Sequence, residues 1–264
     1  MEGYHKVMRV QSPRWALAAC YRAYEINGEF ARFLREAPLP ELDADQEAQY
    51  RTLVGQKADG YDKRAGDYLE NCRTLAAKWE ICDPDLVQYF ATNGTETVPG
   101  SFSRSSGSRE LRAEWLQDPA LRERHVEAVQ HPDDPAALNR LAAAYVAAGD
   151  HHHAVLVAMK GIEVVGEDDP TTRAVLLNTL GVARLYCNQD PDAKAAFAEA
   201  LEADSGQLAA RVNLAGLYSH YRHADKAQEI YGAIAGEDLL GDDDQLIHPR
   251  SRELYYEASH YAQN

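Results

Sequence analysis

Apolar positions fall at three- and four-residue steps along most of the chain, which predicts an all-α fold. Ser12-Pro13 opens the first clear element as an N-cap followed by proline at the first helical position. From Trp15 to Leu34, Leu17, Tyr21, Tyr24, Ala31 and Leu34 keep helical spacing, while Ala19, Ala23, Ile26, Phe30 and Phe33 are apolar on another side. A helix apolar around so much of its girth is expected to be covered on more than one face. Pro38-Leu39-Pro40 forces a turn.

A second seam then runs from Asp43 to about Trp79 through Tyr50, Val54, Lys57, Tyr61, Ala65, Tyr68, Cys72 and Leu75. At 1.5 Å per residue that helix is roughly 55 Å long and overhangs the first. The two form a long antiparallel hairpin, assigned to residues 1–91 and closed by Asp83-Pro84 and a short helix around Leu86, Val87, Tyr89 and Phe90. Residues 92–108, TNGTETVPGSFSRSSGS, have almost no apolar anchors and read as a flexible linker between domains.

Beyond the linker the chain is periodic. The segments LNRLAAAYVAAGDHHHA, LNTLGVARLYCNQDPDA and RVNLAGLYSHYRHADKA superpose Ala142, Gly181 and Ala215, each preceded by leucine. Twelve residues on they superpose Ala154, Ala193 and Ala227; the spacing is 39 residues and then 34 at both markers. Antiparallel helices approach closely only where small side chains meet, and large residues fill the space between pairs. Here those fillers include Leu138, Tyr145, Leu177, Phe197, Tyr218 and Tyr231. The units are bounded at about 135–168, 174–207 and 208–241, after a degenerate pair at 109–130 and before a capping helix at 249–262.

This pattern resembles the tetratricopeptide repeat family over about residues 135–240. The middle unit matches through Leu177, Leu180, Gly181, Ala193, Phe197, Ala200 and Leu201. It departs at Arg184, where the family has an aromatic residue; Ala158 and Arg211 are further departures, and Glu167–Thr171 reads as an insertion. The resemblance implies an α-solenoid whose first helices line a concave groove. The groove residues would be Asn139, Ala143 and Val146, then Asn178, Val182, Leu185 and Tyr186, then Asn213, Gly216 and Ser219. Asparagines there suit the backbone of an extended peptide, and Val182 and Tyr186 suit its side chains. The competing expectation is that some of these residues only contact the next repeat or the capping helix. The basic clamp with which some family members hold a chaperone's C-terminal carboxylate is missing, since its sites hold Asn139, Ala143, Thr179, Ala209 and Asn213.

Residues 6–90 carry a second resemblance, through SPRWALAACYRAYEINGEFARFLREAPLP and QYRTLVGQKADGYDKRAGDYLENC. These look like a segment of long tetratricopeptide proteins of bacterial cell envelopes, including proteins linked to gliding motility. The resemblance implies a periplasmic scaffold, this chain then being part of a longer exported protein; without it the expectation is cytoplasmic.

Net charge is −15, which argues against nucleic acid or an anionic membrane surface as partner. Residues 1–98 carry 12 basic and 16 acidic side chains, a net −4, and the remainder carries −11, so a basic or neutral partner suits the second half. No apolar run approaches the roughly 18 residues of a membrane span, and residues 1–15 lack the apolar core of a secretion signal. Cys20, Cys72, Cys82 and Cys187 form no CxxC pair and read as packing residues; Cys72 and Cys82 are the two most apt to meet, but only if the helix ends between them.

No phosphate-cradling loop, GxGxxG, GxSxG or HExxH occurs, so no catalytic residue, cofactor or enzymatic activity is expected. His151, His152, His153, His220 and His223 fall at corresponding turns of the first and third units but read as exposed turn residues rather than a metal site. Asp242-Asp243-Asp244 reads as a solvated loop. The expectation is a non-catalytic protein–protein interaction scaffold whose groove holds a peptide or helix of a larger assembly. The alternative is a structural subunit that self-associates through the hairpin with the groove idle.

Overall fold

The computed structural model describes residues 12–39, 41–84, 102, 118–237, 239 and 246–262. The short helix expected at 86–90, the first half of the degenerate pair and most of the 238–245 loop lie outside the described residues. All regular structure among the described residues is helical, and the chain divides into two compact units, Met1–Val98 and Pro99–Asn264.

In the first unit, α1 (Pro13–Glu36) and α2 (Ala44–Lys78) pack as an antiparallel hairpin. Asp43 starts α2 with a complete capping box: its carboxylate accepts from the Gln46 N–H at 2.9 Å while the Gln46 carboxamide accepts from the Asp43 N–H at 3.2 Å. One end of the hairpin is closed by buried Leu17, Cys20, Cys72 and Ala76, with Tyr21, Tyr68, Leu75, Trp79 and Ile81 around them. Toward the other end Phe30 meets Tyr61 edge to face at 4.7 Å, and Arg35 reaches Asp59 and Asp62. Because Arg35 in the last turn of α1 reaches Asp59 and Asp62, about four turns into α2, the start of α2 runs past it. Its buried residues accordingly begin at Ala58 and continue at Ala65, Cys72 and Ala76.

Across the hairpin the sulfur neighbour of Cys72 is Cys20, a pairing that sequence spacing did not indicate. The register explains this: Cys20 sits one turn into the overlap and its thiol also donates to the Tyr68 carbonyl at 3.1 Å. The two thiols share a hydrogen bond that, together with burial, pushes Cys72 up, while the same contact lowers Cys20.

The second unit is a stack of helix pairs. After α3 (Pro119–Gln130) come α4 (Pro135–Ala148) with α5 (His151–Val165), α6 (Pro170–Tyr186) with α7 (Asp190–Ala203), and α8 (Leu208–His220) with α9 (Ala224–Ala233); α10 (Pro249–Ala262) closes the series. Each helix packs on the next, and the first helices also touch one another, α4 on α6 and α6 on α8. Asp118, Asp134 and Asp169 each cap a helix whose first residue is proline.

The turn inside each pair is the same device three times. Gly149, Asn188 and Arg222 take positive φ of 78°, 57° and 62°. The following N–H closes on a carbonyl five residues back at 2.9 Å: Asp150 on Tyr145, Gln189 on Arg184, His223 on Tyr218. The uneven repeat spacing also has a structural account. α5 has 15 residues against 14 in α7, and α6 begins four residues further ahead of Gly181 than α8 does ahead of Ala215. The apparent insertion at 167–171 is thus mostly one extra turn at the start of α6.

Small residues stand where helices touch. A Cβ on Gly181 would lie 2.4 Å from the fully buried Phe197 ring. Ala142, Ala158, Leu180 and Ala196 form one core layer, and Ala174, Leu177, Ala200 and Ala210 form the next. Val212, Ile234, Leu239 and Tyr255 form a third, which fastens α10 to the stack. The Tyr255 hydroxyl lies 3.0 and 3.2 Å from the Ile234 and Glu237 carbonyls. α10 packs mainly on α8 and only marginally on α9, so it crosses the side of the stack where the first helices lie.

Candidate functional site: an occupied groove

The first helices of consecutive pairs bring Asn178 and Asn213 side by side, although Asn213 stands one place off the 34-residue repeat register, and the two carboxamides bond to each other, Asn213 Nδ2 donating to Asn178 Oδ1 at 2.8 Å. Both are fully buried. What covers them is residues 246–248 of the same chain. The Leu246 carbonyl accepts from Asn178 Nδ2 at 2.8 Å and from Asn213 Nδ2 at 3.0 Å. Two residues on, the His248 N–H donates to Asn213 Oδ1 at 2.9 Å. One asparagine therefore grips a carbonyl and an N–H two residues apart, reading backbone rather than side chain, as a peptide groove does.

A row of rings flanks this contact. His151 stacks on Tyr186 at 4.4 Å, Tyr186 lies 4.7 Å from His248, and His248 lies 5.0 Å from Phe102. Phe102 in turn stands edge-on to His220 at 5.3 Å. Phe102 falls in the segment read as a linker without anchors, yet it is buried, and its N–H donates to Asp190 Oδ2 at 2.7 Å. The same fully buried carboxylate oxygen accepts from the Tyr221 hydroxyl at 2.7 Å. That one residue is held because a ring slot and a buried acceptor await it. Neither Phe102 nor Asp190 was a candidate, and an isolated phenylalanine among serines was their only sequence signal.

His248 is only 5% exposed, and burial draws its imidazole down to about 4. Its Nδ1 accepts from the Arg250 N–H at 3.2 Å, leaving the proton on Nε2, which is buried with no hydrogen-bond partner among the described residues. Farther along, Ser251 lies against Gly216 so closely that a Cβ on the glycine would be 2.8 Å from the Ser251 Cα.

The sequence-derived groove residues thus divide. Asn178, Tyr186, Asn213 and Gly216 meet the covering segment. Asn139 instead accepts from the Thr179 hydroxyl at 2.8 Å and ties one pair to the next. Val146, Val182 and Leu185 are buried, while Ala143 and Ser219 keep partial exposure. The turn histidines are engaged locally: besides His151 and His220, His153 Nδ1 lies 2.8 Å from Asp150, His152 lies 3.7 Å from the Cys187 sulfur, and His223 stands edge-on to Tyr218. Among the described residues no group of three or more His, Cys, Asp or Glu side chains is placed to hold a metal ion.

No family model matches this chain, and no curated protein matches it significantly. Among the described residues no helix is long and apolar enough to cross a membrane.

Proposed function

We propose that the chain is a non-catalytic tetratricopeptide-type interaction scaffold whose groove receives an extended peptide segment of a larger assembly. The observation that carries this reading is the pairing of Asn178 and Asn213 with the backbone of residues 246–248. Such a grip is indifferent to side chains, so it suits a peptide ligand, and each bond adds a net ~0.5–1.5 kcal/mol. The aromatic row beside it supplies the selectivity, because flat rings offer large contact area at small entropic cost. The acidic second unit favours a basic or neutral partner and not nucleic acid. The resemblance of residues 6–90 to cell-envelope scaffolds supports a periplasmic setting for that assembly if the chain is part of a longer exported protein; without it the setting is cytoplasmic.

The test is selection of peptides from a random library on the intact chain. Peptides that bind the parent should be lost on Asn178→Ala with Tyr186→Ala, by the order of 2–4 kcal/mol expected of a hot-spot pair. They should survive Glu199→Ala on the exposed side of α7. Retention by the double variant would overturn the groove reading.

A second reading, a structural subunit that pairs with its own copy through the hairpin, is favoured by a different observation. Trp15, Ile26 and Phe33 of α1 and Tyr50 and Leu53 of α2's overhang are exposed in the unit. Light scattering that gives a dimer for the parent and a monomer for Leu53→Asp with Phe33→Asp would support it; a monomeric parent would remove it.

A further inference from the structure

The segment that fills the groove differs from the rest of the C-terminal region in how it is held. The body of α10 is fixed by an apolar layer that includes Tyr255, whose hydroxyl proton is shared between the Ile234 and Glu237 carbonyls. Residues 246–251 are held instead by carboxamides and rings, and they bury two polar atoms, His248 Nε2 and Ser251 Oγ, that have no hydrogen-bond partner among the described residues. Orphaned buried groups weaken a contact, since water would satisfy them on release. A segment held through its backbone while two of its side-chain polar atoms go unsatisfied is more easily displaced than one fully satisfied.

Resting on the scaffold reading above, we infer that residues 246–251 are a built-in ligand that closes the repeat groove, with neutral His248 as its latch, and that the ligand acting in trans is an extended peptide of the same backbone pattern carrying a flat side chain for the slot between Tyr186 and Phe102. The peptide must present a carbonyl to Asn178 and Asn213 and, two residues later, an N–H to Asn213. The ring belongs on that second residue, where His248 sits.

The latch is proton-sensitive for a local reason. The groups facing His248 are His151 and Tyr186 from α5 and α6, His220 from α8 beyond Phe102, Asp190 of α7 behind Phe102, and Arg250 and Glu253 from α10. Burial dominates; Glu253 favours the imidazolium and His151 opposes it, so the Glu253 carboxylate does not offset the cost of burying a charge in the slot. The closed form therefore binds fewer protons than the released form. Closure is complete above the ordinary imidazole range near 6.5 and is lost as pH falls from there toward about 4. Between pH 7.5 and 5.0 the released-to-closed ratio should rise about 25-fold.

The probe is a fluorescein-labelled nonapeptide of residues 246–254 carrying His248→Phe, so that its own ring does not titrate. Fluorescence anisotropy with the intact chain should show binding at least tenfold tighter at pH 5.0 than at pH 7.5. His248→Phe in the chain itself should abolish that pH dependence, and hydrogen exchange of residues 246–251 should show release at pH 5.0 in the parent alone. Equal affinity of the parent at both pH values overturns the latch while leaving the groove reading standing. No binding at pH 5.0, with the segment seen released by exchange, overturns the built-in-ligand inference. The library selection with Asn178→Ala and Tyr186→Ala then decides the functional reading independently.

Discussion

Replacing Gly216 with alanine sets two effects of opposite sign against each other. In the interior of α8 the methyl group favours the helix by about 0.8–1 kcal/mol, because glycine has the greater freedom to lose on folding. Against this, the new Cβ would stand 2.8 Å from the Ser251 Cα and Oγ and 2.9 Å from its Cβ. The nearest of these is backbone, so no rotamer relieves the contact and the start of α10 must lift from α8. Overpacking of this kind costs ~1–3 kcal/mol. The net expectation is a loss between about zero and 2 kcal/mol, with faster hydrogen exchange confined to the residues around 246–251. Urea unfolding followed by circular dichroism gives the first quantity, and exchange with mass spectrometry gives the second. A variant that is stabilised by about 1 kcal/mol with unchanged exchange would show the helix propensity acting alone. Ser251 would then not be seated on Gly216 in solution.

Three further outcomes are expected. Gly181→Leu should destabilise the repeat unit by about 1–3 kcal/mol, because even a Cβ meets the Phe197 ring at 2.4 Å; a melt matching the parent would count against the stack. Arg222→Gly should stabilise by roughly 1 kcal/mol, since Arg222 holds a φ of 62° in a turn where Gly149 stands in the first pair; a loss would mean that its side-chain contacts outweigh the backbone strain. A maleimide should label the native chain at Cys187, slowly because burial raises that thiol, while Cys20 and Cys72 react only on unfolding; rapid native labelling of Cys20 would show the hairpin core to be open.

Two helix starts of the second unit were legible because aspartate followed by proline at 118–119 and 134–135 supplies an acceptor and a preset φ. The same pair at 169–170 lies inside the stretch expected to be an insertion, so that helix begins four residues before the expected start of its unit. The repeat register was legible because close approach leaves a mark, a glycine or alanine at each contact, as at Gly181 beneath Phe197. The overhang of α2 followed from the unequal lengths of the two seams. What covers Asn178 and Asn213 was legible only as the competing expectation of contact with the capping helix, since the three residues just ahead of that helix lie outside regular structure, have no period to detect and make contacts 33 to 68 positions away. The same holds for Phe102 and Asp190, which are 88 positions apart. Cys20 and Cys72 could have been matched once the hairpin register was set, but sequence spacing alone drew Cys72 toward Cys82. Groove-facing and pair-bridging asparagines also look alike in sequence: Asn139 and Asn178 occupy related places, and only the neighbour differs, the Thr179 hydroxyl for one and the Leu246 carbonyl for the other.

The central claim is that the asparagine pair holds an extended backbone, and the His248 amide reports on it most directly because that N–H donates to Asn213 Oδ1 at 2.9 Å. Hydrogen exchange at this amide in the intact chain at pH 7.5 should be slowed on the order of 100-fold relative to an unstructured reference. In Asn213→Ala the protection should vanish while α6 and α7 keep theirs. Exchange of the parent's His248 amide at the unstructured rate would contradict the account, because the groove would then be empty and Asn178 and Asn213 would face water.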